Sequence, residues 1–212
     1  MLHTETVSAN GTESPSVNPK PSNFNVPNAL TTLRILGVPF FGWLLLTESG
    51  QSIEWRLWAL LAFVLLMATD KIDGDIARKY NLITDFGKLA DPIADKALTG
   101  MAFVGLSIIG VLWWWVTILM LVREWGITVM RAFMVRRGVV MPASKGGKLK
   151  TVLQSVAIGG YVAPLALWGG PIPTILLWAM HIVMAAALIV ALVTGVQYVA
   201  EARANAKAGK SA

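Results

Sequence analysis

Asp70 and Asp73 stand three residues apart in the chain, and Asp91 and Asp95 stand four apart. On a helix either spacing puts both carboxylates on one face. Only the short polar stretch 79–86 separates the two pairs, so their helices are antiparallel neighbours and the four acids converge at one end. Four carboxylates in one partly desolvated place repel strongly. Arg78 offsets a single charge; two divalent cations would balance all four. The chain has no cysteine and two distant histidines, His3 and His181. Any metal is therefore held by oxygen, which favours Mg²⁺, Mn²⁺ or Ca²⁺. A solvated acidic helix end is the plainer explanation, but acids in apolar segments are costly and usually functional. Asp75 and Asp85 fit neither paired face and read as solvated or capping residues.

The small neighbours of the acids have a use of their own. Gly74 follows Asp70 by one turn, and Ala77 lies four residues after Asp73. Without bulky side chains there, a flat ligand can approach the backbone closely. Arg78 supplies a planar donor fork suited to phosphate. Gly87 lets the second helix pack close to its neighbour.

A second cluster is basic. Arg123 and Arg131 lie two helical turns apart in one apolar segment and share a face. Ser144, Lys145, Lys148 and Lys150 follow in the stretch PASKGGKLK. Arginines within a span rarely occur without a partner or an anion. Glu124 can pair with one of these cations but not with all, so an anionic, phosphate-bearing ligand fits. Arg136 and Arg137 read as ordinary loop charge.

These residues need a lipid-embedded frame. Of 212 residues, 55% are hydrophobic and 14% charged, and the mean hydropathy is +0.61. Soluble chains carry roughly 25% charged residues. Six apolar segments, at about 30–46, 55–79, 86–110, 112–134, 147–168 and 173–200, are each near the length of about 20 residues that spans a bilayer. A short amphipathic lead-in over 24–34 is expected to lie in the interface. The reading is an all-α integral membrane protein, a bundle of six transmembrane helices. Residues 1–22 read as a disordered tail, 23–200 as the membrane domain and 201–212 as a flexible basic tail. Lys and Arg gather on one side of the six spans, at residues such as Lys20, Lys79, Arg136 and Lys207. The positive-inside bias puts that side, with both termini and the acids, in the cytoplasm. The net charge of +6 thus reports orientation; no nucleic-acid-binding motif is present. Trp55, Trp58, Trp113, Trp114, Trp115 and Trp168 mark the opposite interface as an aromatic belt.

Together the residues read Asp70-x2-Asp73-Gly74-x2-Ala77-Arg78-x8-Gly87-x3-Asp91-x3-Asp95. This resembles the signature of the CDP-alcohol phosphotransferase family at every fixed position. The likeness covers roughly residues 24–200. It implies that Asp70, Asp73 and Asp91 bind two divalent ions, Mg²⁺ or Mn²⁺. Asp95 would then be the general base and a further ligand, with Asp91 beside it in catalysis. It also implies that Asn28, Thr31, Asp73, Gly74, Ala77, Arg78 and Thr84 contact a CDP-activated lipid. The segments NVPNALTTLRILGVPFF, VREWGITVMR and VMPASKGGKLKTVLQ resemble the bacterial branch that uses sn-glycerol 3-phosphate as acceptor. Arg123, Arg131, Ser144, Lys145, Lys148 and Lys150 would bind its phosphate. Implied with this are CDP-diacylglycerol as donor, phosphatidylglycerophosphate and CMP as products, a homodimer, and a bacterial plasma membrane. Inositol phosphate is the alternative acceptor. A divalent-cation transporter is the alternative of another class; against it, the acids crowd one end and residues 57–68 are almost wholly apolar.

Overall fold

The computed structural model describes residues 25–80, 84–136 and 144–208, and these hold no strand. Helix α1 spans Val26–Leu46, α2 Ile53–Lys79, α3 Asp85–Ile108, α4 Trp114–Arg136, α5 Lys145–Val162, α6 Leu165–Trp168 and α7 Pro171–Ala208. A 3₁₀ turn, Thr47–Gly50, joins α1 to α2.

Local chemistry explains the boundaries. The Asn25 side chain accepts a hydrogen bond from the Asn28 amide at 2.9 Å and starts α1. Ser144 starts α5 in the same way, accepting from the Gly147 amide at 3.0 Å. Pro164 ends α5, because proline lacks the amide that would continue the ladder. α3 closes on Gly110, whose φ of +74° suits glycine, with the Val111 amide reaching back to the Leu106 carbonyl at 3.0 Å.

The separate amphipathic lead-in expected over 24–34 is not what forms. One continuous helix, α1, runs through it. The polar residues that made the segment look interfacial, Asn28, Thr31 and Arg34, are at most 5% exposed. Their stripe faces the bundle. α7 continues to Ala208, through the first eight residues of the stretch read as a tail.

α1 packs on α2 and α3, α5 packs on α7, and α4 leans on α7. A Cβ added at Gly42 would lie 2.7 Å from Met101 Sδ, and one at Gly105 would lie 2.7 Å from Leu45 Cδ2. These two glycines let α1 and α3 approach closely, as small residues do between membrane helices. Phe41, Phe63, Phe103, Met120, Ile158 and Leu188 fill the centre. Buried Arg56, near the start of α2, ties the two halves together. Its Nε donates to the Val162 carbonyl at 2.8 Å, and its NH2 donates to the carbonyls of Tyr161 and Ala163. The carbonyls of Tyr161 and Val162 are the last of α5, which the helix's own amides leave unsatisfied; that of Ala163, the residue capping α5, also accepts from the Leu165 amide at 2.8 Å.

The outer surface is apolar. Ile175, Trp178, Ile182, Ile189 and Val196 on α7 are each 62% exposed or more, a pattern that marks contact with lipid or partner. Three stretches among the described residues are long and apolar enough to cross a membrane: Asn28–Gly50, Gly146–Trp168 and Pro171–Ala204. α2, α3 and α4 carry the charged residues of the two clusters, which lowers their hydropathy. The chain has the character of a membrane protein.

Candidate active site

Asp70 sits on α2 and meets α1 through an ion pair, with Arg34 NH1 2.5 Å from Asp70 Oδ1. The arginine side chain is fully buried, whereas that of Asp70 is 46% exposed. Arg34 thus fixes one carboxylate oxygen and leaves the carboxylate open on its other side. Asp95, on α3, keeps an accessible side chain, although surrounding protein strips part of its hydration. The charges that act on it are those of Asp70 and Glu124, which repel it, and Lys96 and Lys150, which attract it. The first and last acids of the motif, on α2 and α3, are therefore near enough to repel one another. Asp73, Gly74, Ala77 and Arg78 lie on α2, and Gly87 and Asp91 on α3; their side chains fall outside the described residues. Asp75, read from sequence as solvated, is exposed.

Three residues expected to border the donor come together beside this junction. Thr84 Oγ1, just before α3, donates to Asn28 Oδ1 at 2.9 Å. Thr31, one turn after Asn28, is 1% exposed. The bond between Asn28 and Thr84 fastens the start of α1 to the start of α3, while the Arg34–Asp70 pair ties α1 to α2.

The basic residues form a second assembly. Glu124 Oε1 accepts from Lys150 Nζ and from Arg123 NH1, the latter at 3.2 Å. Arg123 also donates from NH2 to Thr194 Oγ1 at 2.8 Å and from Nε to the Ala191 carbonyl at 3.1 Å. Three of the five guanidinium N–H donors are committed in this way. Next to the assembly opens a cavity of about 790 Å³, with Lys96, Arg123, Arg131, Arg136 and Lys148 in its wall. Arg123 and Arg131 share this wall, as their two-turn spacing requires. Arg136, read as loop charge, lines it too. Ser144 and Lys150 stand behind it: Ser144 caps α5 and donates its amide to Tyr198 Oη at 2.7 Å, while Lys150 is 4% exposed on Glu124. The Lys145 side chain lies outside the described residues. Gly146 has a packing role, since a Cβ there would lie 2.6 Å from Thr194 Cγ2.

Sequence reasoning passed over Arg34. The signal was present, an arginine in a long apolar run, which calls for a buried partner. The amphipathic reading of 24–34 hid it.

The donor set is suited to hard cations. Asp70 and Asp95 present oxygen only, they repel one another, and Arg34 compensates one charge of the two. Among the described residues no group of three or more acids or histidines is assembled; Asp73 and Asp91 are the acids that would complete one.

The sequence profile described as CDP-alcohol phosphatidyltransferase matches residues 24–199. A protein of Mycobacterium tuberculosis strain H37Rv named probable phosphatidylglycerophosphate synthase is 48% identical over 178 residues, covering 84% of this chain and 81% of its own. The CDP-diacylglycerol–glycerol-3-phosphate 3-phosphatidyltransferase of Bacillus subtilis strain 168 is 34% identical over 167 residues, 73% of this chain and 86% of its own. A cardiolipin synthase (CMP-forming) of Streptomyces coelicolor is 37% identical over 117 residues, 55% of this chain and 54% of its own. A match over most of the chain, on a helical scaffold that sets opposed aspartates beside a basic cavity, places the protein in the CDP-alcohol phosphatidyltransferase family.

Proposed function

We propose that this chain transfers a phosphatidyl group from CDP-diacylglycerol to sn-glycerol 3-phosphate, giving phosphatidylglycerophosphate and CMP. The observation that carries the reading is the juxtaposition of Asp70 and Asp95 with a cavity walled by Lys96, Arg123, Arg131 and Lys148. Relatives over most of the chain bear the names of this activity.

The donor pyrophosphate lies against the acid pairs, with Arg78, Gly74 and Ala77 along it and Asn28, Thr31 and Thr84 bordering the nucleotide. Two divalent ions, Mg²⁺ or Mn²⁺, held by Asp70, Asp73, Asp91 and Asp95, supply charge neutralisation at the transferring phosphorus when bound. Arg34 holds Asp70 in one orientation. Glycerol 3-phosphate enters the cavity with its phosphate on Arg123, Arg131 and Lys148, which points its primary hydroxyl toward Asp95. Asp95 takes the hydroxyl proton, the oxygen bonds to the diacylglycerol-bearing phosphorus, and the bond from that phosphorus to CMP breaks. No covalent enzyme intermediate is required.

In this reading the bundle has six spans with both termini and the site on the cytoplasmic side of a bacterial plasma membrane, and it works as a homodimer. The test is purified protein in detergent with Mg²⁺, CDP-diacylglycerol and labelled glycerol 3-phosphate. The expected result is CMP release matched by label in lipid; turnover of inositol phosphate in its place would reassign the acceptor.

A further inference from the structure

A groove of about 660 Å³ runs between α1 and α2 on the outside of the bundle. One end is made by Leu33 and Thr69, the chain neighbours of Arg34 and Asp70; the other is made by Trp43, Trp55 and Trp58. Its lining is almost wholly apolar. The Thr69 hydroxyl donates to the Leu66 carbonyl of its own helix at 2.8 Å, so it is turned away from any guest. Gly37 lines the groove, and a Cβ there would lie 2.6 Å from Leu66 Cδ2; its absence lets the two helices close together. At the far end Trp43 meets Trp55 edge-on, with ring centroids 5.4 Å apart, and Phe40 backs Trp43 at 5.8 Å.

The groove follows α2 from Thr69 to Trp55, about 21 Å at the helical rise of about 1.5 Å per residue. One leaflet of a bilayer offers about 15 Å of hydrocarbon. A chain whose head group is held at Asp70 and that is only as long as the leaflet is deep would therefore lie in the groove and stop short of the tryptophans, and only a longer chain, straightened against the two helices, would reach them. We infer that the α1–α2 groove seats one acyl chain of the CDP-activated donor, and that the Trp43–Trp55 pair is the stop that sets the longest chain accepted. This rests on the donor reading above. A chain leaving the bilayer for the groove gains little hydrophobic free energy, because lipid tails are as apolar as the wall. Selectivity must come from packing, and the stop supplies it.

The test uses the full-length protein in mixed micelles and a CDP-diacylglycerol carrying a diazirine at the end of one chain. After irradiation, adducts are expected on the peptides that hold Trp43, Trp55 and Trp58. Excess unlabelled CDP-diacylglycerol should displace them and excess phosphatidylcholine should not. Adducts spread over the outer helices, or equal labelling by a diazirine phosphatidylcholine, would overturn the assignment. In turnover, Trp55→Ala and Trp43→Ala should each move the kcat/KM ratio of stearoyl to lauroyl donors toward the longer chain, by roughly tenfold, within the range a hydrophobic pocket discriminates. Ala62→Trp, which narrows the groove midway, should move it the other way. An unmoved ratio in all three would remove the stop. Groove labelling with no CMP release from any donor would sink the transferase reading and leave the groove standing; normal CMP release with labelling elsewhere would do the reverse.

Discussion

The two charged regions balance their charges in different ways. Around Glu124 the protein is its own counterion: Lys150 and Arg123 both bond one carboxylate oxygen, Thr194 and the Ala191 carbonyl take further donors of Arg123, and the surplus positive charge faces a cavity. Around Asp70 and Asp95 the protein leaves a deficit. Arg34 pairs with Asp70, while Asp95 keeps an accessible carboxylate on which the Asp70 charge acts repulsively. A region that is internally balanced can be rigid before anything binds. A region that carries a deficit is completed by cations that arrive with or before the substrate. The basic region is built to position an anion, and the acidic one to assemble a reaction centre.

Mutations should separate these roles. Asp95→Asn keeps the shape and removes the base, so kcat should fall by about 10² to 10⁴ while binding of CDP-diacylglycerol, measured directly, is largely retained. Arg34→Gln releases Asp70 from its fixed orientation. Losses of about 10 to 100-fold follow when the partner of a metal ligand is removed, and Mn²⁺ binding followed by paramagnetic resonance should weaken in parallel. Unchanged Mn²⁺ binding would leave Arg34 with a packing role only.

On the basic side the comparison sharpens. Lys148 is exposed at the cavity, so Lys148→Ala should raise the KM for glycerol 3-phosphate about tenfold, the worth of one charge-assisted hydrogen bond, with kcat nearly constant. Arg123→Ala should raise the same KM and also lower the thermal midpoint, because it leaves Thr194 without its donor and Glu124 with Lys150 alone. If either change abolished donor binding, the division into two regions would be wrong. Arg56 belongs to neither region. Arg56→Leu strands the carbonyls of Tyr161 and Val162, at about 1–3 kcal/mol for each buried group, and is expected to lower thermal stability with the smallest effect on turnover.

Much of this was legible before the fold. The acid spacing put the two pairs on consecutive helices, and the apolar runs located α2, α3 and α4 to within two residues at each end, while α5 stops six residues before the expected end at 168 and α7 runs eight residues past 200. The shared face of Arg123 and Arg131 followed from helical geometry alone. What stayed hidden depended on three-dimensional partners. Asn28, Thr31 and Arg34 give 24–34 an amphipathic pattern that an interfacial helix and a site-facing stripe share; only the positions of Thr84 and Asp70 decide between them. Lys150 read as a phosphate ligand, because the sequence does not say which of the basic residues Glu124, 26 residues away, takes as its partner. Arg56 is a cation near the start of an apolar run, and only the arrival of the α5 terminus explains its burial.

The central claim is that the paired aspartates work through bound divalent cations to release CMP in the presence of glycerol 3-phosphate. The most direct measurement is CMP release by protein stripped with a chelator and then titrated with Mg²⁺ or Mn²⁺. The account predicts no release from the stripped enzyme and full recovery on titration, with no recovery in Asp70→Asn. Undiminished release from the stripped enzyme would contradict it.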